Sequence, residues 1–266
     1  MEAYEELFEP VIIHNNSRGY DEQVRKRFEE PAWNNPIVRF INARAQDVIP
    51  RLSGVWKLGP LVKRSVHALE ASKRDVPAWF ETLATETSST RTEGLVLSMY
   101  CFWDGEGKLG GFPGVVATEA GFYGGTEVVA LRFDPKVIAV QDLVAKAQAT
   151  GCASRVYATT SDQLNALSAA GIRAKRLEGE PRRAPESDQL RHLSASPLRY
   201  LPLTPLQAQR TNADLASGRD GTRWLSPRQI AMIQPLRKAG KLSGLKRPRS
   251  LDALAAYETK LIAALR

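Results

Sequence analysis

The stretch Leu95-Val96-Leu97-Ser98-Met99-Tyr100-Cys101-Phe102-Trp103-Asp104-Gly105-Glu106-Gly107-Lys108-Leu109-Gly110-Gly111-Phe112-Pro113-Gly114 decides the fold of this chain. Its first six residues read as a strand, and residues 102–112 as a glycine-loosened helix closed by Pro113-Gly114. Moving outward, residues 115–122 and 127–133 are strands around Gly124-Gly125, a strong hairpin signal. Residues 140–149 form a helix with Gly151 at its C-terminal cap, and residues 155–158 a fourth strand. The order is βαββαβ, the split βαβ or ferredoxin-like arrangement of an α+β protein.

Upstream, residues 10–14 are a short apolar run ending at the turn signal Asn15-Asn16, and residues 21–28 a helix. Residues 37–41 and 47–51 read as a strand pair, and Leu58, Leu61, Val62, Val66 and Leu69 share one face of a helix over 58–71. This layout resembles the C-terminal half of a thioredoxin fold, in which a cis-proline opens the strand before the last hairpin. The resemblance implies a cis bond before Pro36. Residues 87–92 are a polar linker, which gives a truncated thioredoxin-like domain over 1–86 and a second domain over 92–217. Beyond it, Thr204-Pro205-Leu206-Gln207 is a capping box with proline at the first helical position; Ser226-Pro227 and Ser250 begin two further helices.

The 266 residues are 43% hydrophobic and 25% charged, the balance of a folded chain. No apolar run reaches the roughly 18 residues of a membrane span, and the acidic N-terminus lacks a signal-peptide layout, so a cytoplasmic protein is expected. Two cysteines are no disulfide framework, and three histidines without ligand spacing offer a metal little. A Ser-His-Asp hydrolase is excluded for want of a matching constellation. The net charge of +8 is concentrated late: Arg223, Arg228, Arg237, Lys238, Lys241, Lys246, Arg247 and Arg249 occur without an intervening acid. Residues 218–266 therefore read as a basic helical tail, either solvated or contacting nucleic acid phosphates.

Cys101 stands where a strand meets a helix. A helix N-terminus favours a thiolate, the form a nucleophilic cysteine needs. The other reading of a lone cysteine is a small buried hydrophobe, and position alone leaves both open.

The motifs Cys101-Phe102-Trp103, Phe112-Pro113-Gly114-Val115, Gly121-Phe122-Tyr123-Gly124-Gly125, Glu127-Val128-Val129 and Phe133-Asp134-Pro135 occur in the order of one known family. Residues 95–149 resemble the core of the peptide methionine sulfoxide reductases that act on the S epimer, with a further echo at Ser196-Pro-Leu-Arg-Tyr-Leu-Pro-Leu-Thr-Pro-Leu-Gln207. The resemblance implies that Cys101 attacks the sulfoxide sulfur and becomes a sulfenic acid. Phe102 and Trp103 would wall an apolar pocket for the substrate methyl group, with Phe122 and Tyr123 also binding substrate. Glu127 would protonate the departing oxygen, a role that asks for a raised pKa. Cys152 is the one other sulfur in the chain able to resolve the sulfenic acid. The substrate would be methionine sulfoxide, free or in proteins, the electron source a thioredoxin-like reductant, and no cofactor is implied. Core packing is the competing reading of Phe102 and Trp103, and an exposed strand position that of Glu127.

The chain also departs from the family. Tyr100 replaces a glycine, and Gly125-Thr126-Glu127 replaces a long loop that carries one of two tyrosines bonding the sulfoxide oxygen. The segment for the other, Asp188-Gln189-Leu190-Arg191-His192, has no tyrosine; Tyr123 and Tyr200 are the substitutes at hand. A divergent reductase and a non-catalytic binding domain therefore both remain open.

The whole chain resembles, more narrowly, bacterial thioredoxin-like selenoproteins named for a Val-Pro-Gly-Sec motif. The residues are Asn15-Asn16, Glu30-Pro-Ala-Trp-Asn-Asn-Pro-Ile-Val-Arg39, Ile49-Pro-Arg51, Val76-Pro-Ala-Trp79, Gly151-Cys-Ala-Ser-Arg-Val156 and Trp224-Leu-Ser-Pro-Arg228. That resemblance implies a selenocysteine upstream, with Met1 as a false start.

Overall fold

The computed structural model describes residues 2–33, 36–88, 91–240, 242, 244–248 and 250–265. It divides into two compact units, residues 1–89 and 90–266. Among the described residues no helix is long and apolar enough to cross a membrane.

The first unit contains α1 (Glu2–Glu5), α2 (Tyr20–Arg27), β1 (Ile37–Val38), β2 (Leu52–Ser53), α3 (Leu58–Ala71) and α4 (Ala78–Thr87). Helix α3 forms over the span its periodicity predicts, and it buries Val62, Ala68 and Leu69. The expected strand at 10–14 is absent: Val11 and Ile12 are 70% and 67% exposed, with no neighbouring strand to pair them. The predicted second hairpin strand is displaced. Pairing occurs as a bridge between Ile41 and Asp47 and again at Leu52–Ser53, while Pro50, which lacks an N–H, lies outside both. Arg39 holds the hairpin by ion pairs to Glu30 and Asp47. The bond before Pro36 involves Asn35, which lies outside the described residues.

The second unit opens with β3 (Glu93–Ser98), α5 (Phe102–Leu109), β4 (Val115–Tyr123), β5 (Thr126–Phe133), α6 (Val140–Ala149) and β6 (Arg155–Ala158), elements the sequence placed to within a few residues. It continues through α7 (Ser161–Ala169), β7 (Lys175–Arg176), β8 (Arg182–Arg183), α8 (Arg191–Ser194), α9 (Pro205–Ala216), α10 (Pro227–Ala231), α11 (Ile233–Ala239) and α12 (Leu254–Leu265). The six strands form one sheet in the order β7-β6-β3-β5-β4-β8. From β6 to β4 each strand is antiparallel to its neighbour, β7 lies parallel to β6, and β8 antiparallel to β4. Gly124 and Gly125, at φ 56° and 76°, make the β4–β5 turn in a conformation that side-chain-bearing residues avoid. Strand β8 lies within the glycine- and proline-bearing stretch of residues 179–188.

One face of the sheet carries the main core, in which Leu95, Leu97, Val129, Leu131 and Phe133 meet Phe102 and Leu109 of α5 and Leu143 and Val144 of α6. The opposite face carries Val96, Val128 and Tyr157 with Tyr123. The segment expected to be a basic tail is folded into this unit. Leu225, Ile233, Leu236, Tyr257 and Leu261 share a second core with Leu190, Leu193, Leu198 and Leu201. Its charges are partly committed: Arg223 bonds the buried Asp214 at 2.8 Å, and Arg228 pairs with Glu258 at 2.9 Å. Composition had concealed an apolar stripe between cations.

Helix α5 is gripped on two sides. A side chain at Gly105 would strike Met99 and Val129 of the sheet side, and a Cβ at Gly107 would lie 2.5 Å from the Cβ of Ala216 in α9. From α9, Gln209 donates to the carbonyls of Gly110 and Val115, and Arg210 to those of Gly110, Phe112 and Val115. These bonds satisfy the carbonyl of Gly110 at the C-cap of α5 and hold the turn that leads into β4. Gly107→Ala should therefore destabilise the protein by about 1–3 kcal/mol through overpacking, measured by urea unfolding. A neutral result would mean that α5 and α9 are not in this close contact.

Candidate active site

The end of β3 and the start of α5 bring the predicted nucleophile and acid together. Cys101 occupies the N-cap position with extended backbone, φ −137° and ψ 116°, and its side chain makes no capping bond. It is partly exposed. The cap is supplied from β5: the Glu127 carboxylate accepts the Phe102 N–H at 2.7 Å, while the Glu127 carbonyl accepts the Met99 N–H at 3.1 Å. A carboxylate here fills one of the orphan donors of the first helical turn and faces the positive end of its dipole. Glu127 is half-buried and bonded to the residue that follows Cys101, rather than standing as a free strand residue.

The four aromatic candidates separate. Phe102 is 4% exposed and belongs to the main core, meeting Phe122 edge-on at 5.4 Å and Trp103 at 6.1 Å. It is a packing residue beneath the site, so the wall expected of it is provided by Trp103, which is 37% exposed, and by half-buried Phe122. Tyr123 is misplaced by the sequence reading. Successive strand residues face opposite sides; Tyr123 therefore lies across the sheet from Phe122, stacked edge-on with Tyr157 at 4.8 Å. Its hydroxyl donates to the Glu178 carbonyl and accepts the Glu178 N–H. Tyr200 is equally committed: it is buried, and its hydroxyl accepts from Arg199 and the Leu242 N–H. Neither tyrosine substitutes for the missing pair. Tyr100, by contrast, is 98% exposed beside Cys101.

Cys152 is buried in the main core, its Sγ 3.7 Å from the Thr150 carbonyl, and burial pushes its thiol pKa up. Strands β3 and β6 are antiparallel with Ser98 opposite Arg155. Cys101, three residues after Ser98, and Cys152, three before Arg155, therefore leave the same end of this strand pair. Both are free thiols. A cavity of about 590 Å³ in this unit opens along β6, α7 and β7, lined among others by Arg155, Tyr157 and Lys175, and neither cysteine lines it.

Glu106 was missed by the sequence reading. It lies on the same helical face as Phe102 and Leu109, at i+4 and i+7 spacing, which marks a carboxyl on a core face. It is fully buried, and burial raises its pKa to about 8. Its Oε2 accepts the N–H of Leu190 at 2.7 Å, while Oε1 has no hydrogen-bond partner. Leu190 itself is left-handed, at φ 48°, in the segment where the sequence resemblance called for a tyrosine. Two arginines complete the surroundings: Arg182 lies over Phe122 and Arg191 over Trp103.

No family model matches the chain. It is similar to a peptide methionine sulfoxide reductase of Methanococcus maripaludis, 35% identical over a region covering 21% of this chain and 46% of that protein. The chain thus spans about half the length of the curated relative it matches. Among solved structures it is similar to methionine sulfoxide reductase A of Corynebacterium diphtheriae, with a TM-score of 0.32 and 24% identity over 40% of this chain and 76% of that one. Distant homology to methionine sulfoxide reductase A covers part of the chain.

Two measurements follow from the geometry. Under limiting iodoacetamide, Cys101 should be alkylated before buried Cys152; first labelling of Cys152 would contradict the described burial. Glu106 retains its proton in the folded state from its ordinary 4.5 up to about 8, whereas the unfolded chain loses it near 4.5. Stability should thus be full below pH 4.5 and fall as pH rises to 8, by at most about 1.4 kcal/mol per pH unit. Glu106→Gln should flatten that dependence in urea titrations, and an unchanged pH slope would show that Glu106 does not titrate there.

Proposed function

We propose that the second unit is a thiol-dependent peptide-methionine (S)-S-oxide reductase, with Cys101 as nucleophile and Glu127 as acid. The observation that carries this reading is the hydrogen bond from the Phe102 N–H to the Glu127 carboxylate. It joins two residues distant in sequence at the reacting position, in the roles that the motif order implies. The Cys101 thiolate attacks the sulfoxide sulfur and forms an S–S bond while Glu127 delivers a proton to the oxygen. The resulting hydroxyl then passes from that sulfur to Sγ of Cys101 as the S–O and S–S bonds break, so that methionine leaves as the thioether and Cys101 is left as a sulfenic acid. A second thiol then displaces water to form a disulfide. Cys152 leaves the same strand end and is the candidate within the chain; a thioredoxin-like dithiol would restore both.

The strand order β6-β3-β5-β4, with α5 and α6 packed on one face, supports a ferredoxin-like reading of this unit. In the first unit, the hairpin followed by α3 supports a thioredoxin-like reading of its second half.

A second reading has its own observation. Residues 188–192, the segment in which the resemblance calls for an oxygen-binding tyrosine, hold none, and the hydroxyls of Tyr123 and Tyr200 are engaged elsewhere. A domain without those donors forgoes a few kcal/mol of transition-state stabilisation, and in the limit is a binding domain that retains the fold. Steady-state reduction of the separate S and R epimers of a methyl aryl sulfoxide with dithiothreitol decides between them. The reductase turns over the S epimer alone, loses all activity in Cys101→Ser, and slows by about 10²–10⁴-fold in Glu127→Gln. Absence of turnover in the intact chain, with Cys101 reduced, would establish the binding domain.

A further inference from the structure

Two arginines lie over the aromatic rings of Phe122 and Trp103, and among the described residues neither has an ionic partner. The Arg182 guanidinium is 4.5 Å from the centroid of Phe122, and that of Arg191 is 5.0 Å from the centroid of Trp103. The two rings are joined through Phe102, at 5.4 and 6.1 Å. Both arginines are exposed, and among the described residues neither forms a salt bridge. Adjacent Arg183, by contrast, pairs with Glu119 at 2.8 Å and Glu186 at 3.0 Å. The placement is set by the backbone: Arg182 is opposite Phe122 in the β8–β4 register, and Arg191 begins α8. Of the carboxylates around the Cys101 turn, Glu127 accepts the Phe102 N–H and Asp104 pairs with Lys108, while Glu119 and Glu186 pair with Arg183.

We infer that Arg182 and Arg191 make the Cys101 site select methionine sulfoxide flanked by carboxylates, that is, an acidic segment of a polypeptide. This rests on the proposed reading of Cys101 and Glu127 as a sulfoxide-reducing pair. A guanidinium held flat against a ring keeps its N–H edge free, and that edge matches a carboxylate in bidentate geometry. The rings of Trp103 and Phe122 offer the apolar surface for the sulfoxide side chain, and one cation stands over each. Tyr100, on the other side of Cys101 along the chain, is exposed as well. An open rim of this kind suits an extended segment with residues on both sides of the sulfoxide. Cations interleaved with aromatic rings also suit single-stranded nucleic acid. The Cys101 thiol and the apolar rings of Trp103 and Phe122 suit a methionine sulfoxide side chain, which a polypeptide carries and a nucleic acid does not, and this favours the peptide.

The test compares two rhodamine-labelled peptides of equal length, one with aspartates and one with lysines around a methionine sulfoxide, by fluorescence anisotropy on the full chain. The acidic peptide should bind about tenfold tighter, a preference that shrinks with salt and falls to within about twofold in Arg182→Gln/Arg191→Gln. Arg182→Lys/Arg191→Lys, which retains charge without the planar fork, should keep part of the preference. If the glutamine variant does not fold, the salt dependence and the lysine variant carry the test. Equal affinity for both peptides, or no measurable binding of either, overturns the inference, as does tighter binding of an oligothymidylate than of the acidic peptide. Reduction of the same peptides by dithiothreitol separates the two claims. Turnover without charge preference removes the inference and leaves the reductase; charge-selective binding without turnover supports the acidic-peptide site and removes the reductase.

Discussion

The second unit depends on the close seating of α5 between the sheet and α9. Gly105 lets the helix lie against Met99 and Val129, and Gly107 lets α9 approach until only an alanine methyl separates them. Either glycine could be spared in an isolated helix, where it costs stability. In this fold the cost is repaid by contact: α5 is pressed between two layers, and its first residue is carried to the mouth of the β3–β5 pair. There Glu127 reaches the Phe102 amide, and Cys101 is left at the helix start without a bond of its own. The geometry of the candidate site follows from packing several residues away.

Two carboxyls on this framework occupy unlike surroundings. Glu127 is half-buried at the positive end of a helix, paired with an amide and beside exposed aromatic surface. Glu106, one turn further along, is sealed between cores, with a single amide partner and a pKa raised by burial. The first lies at the amide that follows Cys101; the second ties α5 to the left-handed residue Leu190 and so to the second core. Arg182 and Arg191 lie over Phe122 and Trp103, and among the described residues neither has an ionic partner. Acid, thiol, aromatic surface and cation come from β5, β3–α5, β4, β8 and α8, which converge only in the folded unit.

What was legible in the sequence was local. The helices at 58–71 and 140–149 and the strand at 155–158 were read to the residue, because periodicity and caps are written in consecutive side chains. The capping box at Thr204 formed as read. Residues 11–14 carry a strand composition but have no neighbour to pair with, and pairing is not encoded locally. The stretch after Arg223 was read by its charge, while Leu225, Ile233 and Leu236 between those charges are what bury it. In the candidate site, motif order anticipated that Glu127 lies within reach of the Cys101–Phe102 turn. Tyr123 was misread although pleat alternation sets it opposite Phe122, and Glu106 was overlooked although its spacing from Phe102 and Leu109 marks it. Arg182 and Arg191 left no local trace, since their roles arise from where β8 and α8 pass the rings.

The account stands or falls on whether Cys101 takes the oxygen from a sulfoxide. The most direct measurement is a single turnover without reductant: the full chain, with both thiols reduced, is mixed with methionine S-sulfoxide and its peptides are analysed by mass spectrometry. The account predicts that methionine is released in step with either one added oxygen on the Cys101 peptide or a Cys101–Cys152 disulfide, and that the R epimer gives neither. An unmodified Cys101 peptide after prolonged exposure to the S epimer, with no methionine formed, would contradict it.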